Sequence, residues 1–148
     1  MAFQFRLATV LRFRHSLEQR EELRLLSANQ NVIRARSEIE LFESRLRDHL
    51  QRQREALRAG ISAAELHFEV SCDAVIAVQH KRLQENLREL ETARDQQYEV
   101  FRKARQQREI LENIRDGEYR EYEELKKRRE QRSMDDAFLL RRKFLRRG

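Results

Sequence analysis

An all-α antiparallel coiled-coil hairpin is the fold this sequence predicts, and three observations carry the prediction. The 148 residues include no proline and only three glycines, and 39% of them are charged. Such a mixture favours long helices. Apolar and small residues recur at steps of three and four, and Gly60, followed at once by a helix-start signature, divides that pattern in two. So charged a chain stays unfolded unless it can bury apolar surface; the regular spacing is what argues for folding.

The first helix is read from Leu25, Ala28, Val32, Ala35, Ile39, Phe42 and Leu46. Six steps carry the pattern from position 25 to 46, an average of 3.5 residues, the period that keeps a seam facing a partner in a left-handed supercoil. Onward it reaches His49, Gln53 and Ala56. Backward it passes through Glu21, Glu18 and Arg14 and turns apolar again at Leu11 and Leu7. The spacing predicts a helix over about 5–58.

A turn over about 59–62 follows. Glycine accepts the left-handed backbone that commonly ends a helix, and Ser62-Ala63-Ala64-Glu65 is a capping box, each side chain serving an amide at the start of the next helix. So short a connection makes the two helices antiparallel.

The second helix, over about 63–145, takes its seam from Leu66, Ile76, Leu83, Leu87, Leu90, Ala93, Phe101, Ala104, Leu111, Ile114, Tyr122 and Leu125. Register shifts are expected near Thr92 to Gln97 and near Leu111 to Gly117. With the turn centred near Gly60, paired positions add to about 121, setting Ile39 beside Leu83, Val32 beside Leu90 and Leu7 beside Ile114. The expectation is one elongated domain over 1–148, roughly 80 Å long at ~1.5 Å per helical residue.

Everything beyond about Asp116 is left without a first-helix partner. That overhang includes most of the chain's excess charge. From Lys126 to Gly148 ten Lys or Arg face Glu130, Asp135 and Asp136, a net of +7, while the whole chain carries +6. Met134, Ala137, Phe138, Phe144 and Leu145 form an apolar stripe on the same segment. An amphipathic stripe without an intrachain partner asks for an external one.

Catalytic and metal chemistry find no footing in the residue inventory. His15, His49, His67 and His80 lack HExxH or paired metal spacing, and Cys72 stands alone. Three dispersed glycines make no phosphate-cradling loop. Asp135 and Asp136 are adjacent on a helix, about 100° apart, and do not share one site. No enzyme activity, cofactor or metal is expected. The apolar run Ala74 to Val78 is too short to span a bilayer, and Met1 to Leu11 lacks the run and cleavage site of a secretory signal. A reducing cytoplasm is the expected compartment. The basic segment leaves protein contact, phosphate neutralisation on nucleic acid, a lipid surface and a solvated charged face all open.

The opening Phe3-x-Phe5-x-Leu7-x-x-Val10-Leu11-x-x-Arg14, followed by Glu18, Glu21, Leu26 and Ala28, resembles the start of the flagellar FliJ family. Gln131-x-x-Met134-Asp135-Asp136 before basic residues is similar to that family's C-terminal helix, and Gly60-Ile61-Ser62 falls where its hairpin turns. The resemblance covers essentially the whole chain. It implies a component of the type III export apparatus, similar to the central stalk of rotary ATPases. Such a protein binds the hexameric export ATPase, promotes its assembly and activity, links it to the cytoplasmic domain of the export gate, and in some members escorts export chaperones. It implies a cytoplasmic protein, peripheral at the inner face of the cell membrane through its partners, with no nucleic acid.

On this reading Phe3, Phe5, Leu7, Met134, Phe138, Arg141 and Arg142 contact the ATPase, and Phe42, Arg45, His49, Phe68, Cys72 and Ile76 contact the gate. Phe42, His49 and Ile76 also fit a plain seam role. The chain departs from the family near Glu69 and Cys72, where members often carry an aromatic residue. The stalk of a virulence-type secretion system, a basic-tailed nucleic-acid or membrane-surface adaptor, and a self-associating coiled coil with Arg14, Glu18 and Glu21 setting register are the alternatives.

Overall fold

The computed structural model describes residues 2–148. Among them are two α-helices and no strand: α1 over Ala8–Ala59 and α2 over Ala63–Arg147. They pack against each other antiparallel, as the predicted coiled-coil hairpin. Two compact units make up the chain, residues 19–102 and residues 1–18 with 103–148.

In the unit of residues 19–102 the α1 seam is the predicted one. Val32 is 1% exposed, Ala35 is also buried, and Leu25, Ala28, Ile39, Phe42, Leu46, His49 and Gln53 are half-buried. Ala56, the last expected seam residue, is exposed. Phe42 stacks on His80 with ring centroids 5.7 Å apart, and His49 faces Asp73, both in the register expected for Ile39 with Leu83 and Val32 with Leu90.

The α2 seam corrects the sequence reading. From Glu69 to Leu111 its half-buried positions, Cys72 and Glu91 beside the seam apart, alternate by four and three: Glu69, Asp73, Ile76, His80, Leu83, Leu87, Leu90, Arg94, Gln97, Phe101, Ala104, Arg108, Leu111. No shift occurs near Thr92 to Gln97; Arg94 and Gln97 hold the seam there, and Ala93 is exposed. Tyr122, half-buried, keeps the same phase past Gly117, so the second expected shift is absent as well. Counting apolar residues alone missed this, because long polar side chains can cover a seam with their stems while their heads find partners. Leu66 and Leu125 are exposed.

Gln97 meets such a partner. Its Nε2 donates to Glu21 Oε2 at 2.7 Å and to the Glu21 carbonyl at 3.2 Å. Glu21 is buried, 5% exposed, and its Oε1 accepts from Arg24 at 3.1 Å and from Arg20 at 3.3 Å. The Gln97 hydrogen bond holds this carboxyl below its ordinary 4.5 against the opposing pull of burial, with Arg24 and Arg20 assisting. A folded value below the unfolded one gives stability that is present above the unfolded value and lost as pH falls through the folded one. Glu21→Gln is therefore expected to cost about 1 kcal/mol at pH 7. Thermal melts repeated from pH 7 down to pH 3 should show that gap shrinking below about pH 4.5; a gap constant with pH would contradict the assignment.

The turn forms as its residues dictate. Gly60 has φ 89°, the left-handed region. The Ser62 hydroxyl accepts from the Glu65 amide at 3.2 Å and the Glu65 carboxylate accepts from the Ser62 amide at 3.4 Å, closing the capping box. A Cβ at Gly60 would meet nothing within 4 Å, so backbone conformation alone penalises a side chain there. Gly60→Ala and Ser62→Ala are each expected to lower stability by about 1 kcal/mol in urea unfolding.

In the unit of residues 1–18 with 103–148, Leu11 is the buried apolar anchor. The first helix starts at Ala8, three residues later than expected, and Phe3 and Phe5 precede it. The segment turns into the helix, the Ala8 amide donating to the Phe5 carbonyl at 3.2 Å. Phe3 meets Tyr119 edge-on at 5.2 Å and Tyr122 at 5.5 Å. The unpartnered part of α2 accordingly begins after Glu123 and not near Asp116: every residue from 124 to 148 is exposed.

Candidate partner interfaces

Within residues 103–148, the segment after Glu123 remains helical to Arg147 and buries nothing. Met134, Phe138, Arg141 and Leu145 follow at steps of four, three and four and so share one helix face. Met134 is 63% and Phe138 64% exposed, and Phe144 and Leu145 are more open still. Arg141 and Arg142 are exposed beside them. Leu139 and Leu140, also exposed, widen the apolar area beyond the predicted stripe. The signal for them in the sequence is the apolar run Phe138-Leu139-Leu140 itself. The Gln131 amide donates to Asp135 at 3.1 Å, a bond between successive turns that suits a free-standing helix.

The N-terminal residues assigned with this segment have different surroundings. Phe3 and Phe5 are half-buried, and Leu7, 38% exposed, supplies the carbonyl that accepts from the Leu11 amide at 2.8 Å. Tyr119 hydrogen-bonds Glu123, whose carboxylate raises the phenol above its ordinary 10. The close Tyr119 and Tyr122 pair, rings 6.3 Å apart, is the docking surface for Phe3. Tyr119 was absent from the sequence reading.

The same unit contains a charged seam layer. Arg108 binds Glu18 through two guanidinium nitrogens, one bond being 3.3 Å from Nη2, and donates to Glu112 at 2.6 Å, while Glu112 also meets His15 at 3.1 Å. Arg108 and Glu18 are each 15% exposed. The Glu18 hydrogen bond raises the Arg108 pKa above its ordinary value, burial opposes, and the fields of Glu18, Glu112 and Glu109 add.

In residues 19–102, the six positions assigned to a gate contact separate into two groups. Phe42, His49 and Ile76 lie half-buried in the seam, and Cys72 is half-buried beside it. Arg45 and Phe68 face solvent, Phe68 at 67% exposure. His80 sits 3.1 Å from Glu43, and His49 Nε2 is 3.5 Å from Asp73 and 3.7 Å from Glu69. Gln53 donates to Asp73 at 3.2 Å. Beside the turn, Gln53, Ala56, Ile61, Ala64, Glu65, Phe68 and Glu69 line a shallow cleft. Among the described residues no group of three or more His, Cys, Asp or Glu is placed to hold a metal ion, and no helix is long and apolar enough to cross a membrane.

Residues 3–148 match the family model described as flagellar FliJ protein. No curated protein and no solved structure matches the chain.

Proposed function

The chain belongs to the flagellar FliJ family, a family of flagellar export components and not of enzymes, and on that premise we propose that it acts as a stalk-like activator of the hexameric export ATPase. The observation that carries this reading is the uncovered segment 124–148, helical, basic and apolar at once. A single helix with Met134, Phe138 and Leu145 on one face and Arg141 and Arg142 beside them suits insertion into the centre of a ring lined by apolar and acidic groups. Phe3, Phe5 and Leu7 contribute by holding the N-terminal segment against Tyr119 and Tyr122, so that α2 enters the ring from a braced base.

The gate's cytoplasmic domain is assigned to the turn-proximal part of the hairpin. Arg45 and Phe68 supply its exposed contacts, and Phe42, His49, Cys72 and Ile76 shape the surface beneath. Escort of export chaperones belongs to the same adaptor role. The protein works in the cytoplasm and reaches the membrane through its partners.

A pull-down tests the assignment. Full-length protein is expected to retain the export ATPase, and Met134→Asp with Phe138→Asp to lose at least about 90% of it, roughly 1.4 kcal/mol of affinity or more. The same double variant should still retain the gate domain. Equal capture of the ATPase by both proteins would reject the surface. Tight, salt-sensitive retention of nucleic acid at physiological salt in place of the ATPase would favour the adaptor reading.

A further inference from the structure

Of the three glycines in the chain, Gly60 makes the turn and Gly148 is the last residue, but Gly117 lies inside α2. Glycine is among the least favourable residues for a helix interior, because it has the most backbone freedom to lose. Nothing around Gly117 requires it. Its φ is not positive, and a Cβ there would meet no atom within 4 Å. Alanine would fit and would strengthen the helix, so Gly117 weakens α2 with no return in packing.

The seam lapses at the same place. Between residues 104 and 112 no more than three exposed residues of α2 come in succession, as coiled-coil spacing dictates. Residues 113–121 are all exposed. Arg115 and Glu118 continue the seam phase there, and Arg115 pairs with its own neighbour, Asp116, at 3.6 Å. In a protein a helix is stabilised chiefly by its packed face. Over this stretch α2 has no such face, and its middle residue is the glycine.

Phe3 bridges the gap. The N-terminal segment leads out of α1, which the buried Leu11 anchors, and its Phe3 ring meets Tyr119 at 5.2 Å and Tyr122 at 5.5 Å, both beyond Gly117. Tyr122 and Glu123 are half-buried there, the last such residues of α2.

We propose that α2 has a hinge at Gly117 and that the N-terminal segment is the strap that holds it straight. With Phe3 seated on the two tyrosines, the segment after Glu123 continues the line of α2. With Phe3 displaced, it swings about Gly117. Anything that takes the tyrosine pair from Phe3 therefore redirects the basic segment, and anything that needs the segment straight tightens the strap. The hinge does not rest on the ATPase assignment, because its test contains this protein alone.

Spin labels on Gln106→Cys and Ser133→Cys, both at exposed positions, report the bend in a Cys72→Ser background. On a straight helix they lie about 40 Å apart at ~1.5 Å per residue. Pulsed dipolar spectroscopy of the full chain is expected to give one narrow distance distribution near that value. Phe3→Ala should broaden it toward shorter distances and quicken amide exchange over residues 113–121 about tenfold. Adding Gly117→Ala should restore the narrow distribution and slow that exchange about fivefold. Phe3 precedes α1, so helical circular dichroism should not change. Tyr119→Gln removes the facing ring, keeps a good helix former, and repeats the experiment should Phe3→Ala disturb the start of α1. A broad wild-type distribution overturns the proposal. So does a Phe3→Ala distribution as narrow as wild type, or a chain with both substitutions that stays as broad as Phe3→Ala alone, which would place the bend elsewhere.

Discussion

Val32→Asp is expected to cost about 4 kcal/mol or more and to lower the melting temperature by roughly 10 °C or more. Val32 is the most buried side chain of the hairpin, 1% exposed, and Ala35 is buried close by on the same seam. A two-helix coiled coil has no second layer to absorb an error. Among the described residues only Leu11, Glu21, Val32 and Ala35 are buried, and none of these is on α2. A carboxylate at position 32 would lose most of its water and meet neighbours chosen for Leu and Val. It would either ionise without a partner or protonate at the expense of its own pKa. Val32→Ala separates the size effect from the charge effect and should cost about 1–2 kcal/mol. Thermal melting followed by circular dichroism reads both; equal losses for the two would show that the seam is wetter at Val32 than its exposure indicates.

Removal of Arg108 is the second large effect. Arg108 neutralises Glu18 and Glu112 at once, and with Glu18 it sits 15% exposed in the seam. Arg108→Met keeps the aliphatic stem but leaves two carboxylates facing each other without their shared cation. A fully buried pair broken in this way costs about 3–5 kcal/mol; partial solvent access lowers the expectation here to about 2 kcal/mol. His15, 3.1 Å from Glu112, stays as the nearest other cation when protonated. Glu18→Met in the same chain should recover part of the loss, because the Arg108–Glu18 pair is then replaced by apolar groups and only the more exposed Glu112 is left without its cation. Urea unfolding of the two single variants and the double variant gives the coupling directly. Additive losses would show that the two side chains do not act as a pair.

These two sites also show what was legible in the sequence. The α1 seam was read residue by residue from Leu11 to Gln53 because an unbroken apolar run from Leu25 to Leu46 sets its phase and the polar positions, Arg14, Glu18, Glu21, His49 and Gln53, could be reached from it by counting. On α2 the same counting went wrong where Arg94 and Gln97 occupy the seam, and it passed over Arg108 between Ala104 and Leu111. Their burial depends on what faces them: Glu21 answers Gln97 and Glu18 answers Arg108. A polar residue is a seam residue only when its partner is known, and the partner is on the other helix. The turn was fully legible because glycine conformation and the capping box are local. The start of α1 was not, since a non-helical segment held by Tyr119 and Tyr122 depends on a contact made far along the chain.

The candidate interfaces were legible in a different degree. Charge and apolar spacing located the C-terminal segment, and its exposure fits that reading. The exposed pair Leu139 and Leu140 lay outside the counted stripe. Near the turn, spacing alone could not separate Phe68, which faces solvent, from Phe42 and Ile76, which serve the seam. Helix surfaces lack the fixed donor geometry that marks a catalytic site, so sequence spacing specifies a face and not its partner.

The most direct test is the turnover rate of the export ATPase with the full-length chain and with a chain ending at Gln131, at equal concentration. The hairpin seam ends well before that point, so both proteins should melt at the same temperature. The full-length chain is expected to raise the rate several-fold and the shortened chain to leave it at the basal value. Equal stimulation by both would contradict the assignment of the C-terminal helix to the ATPase.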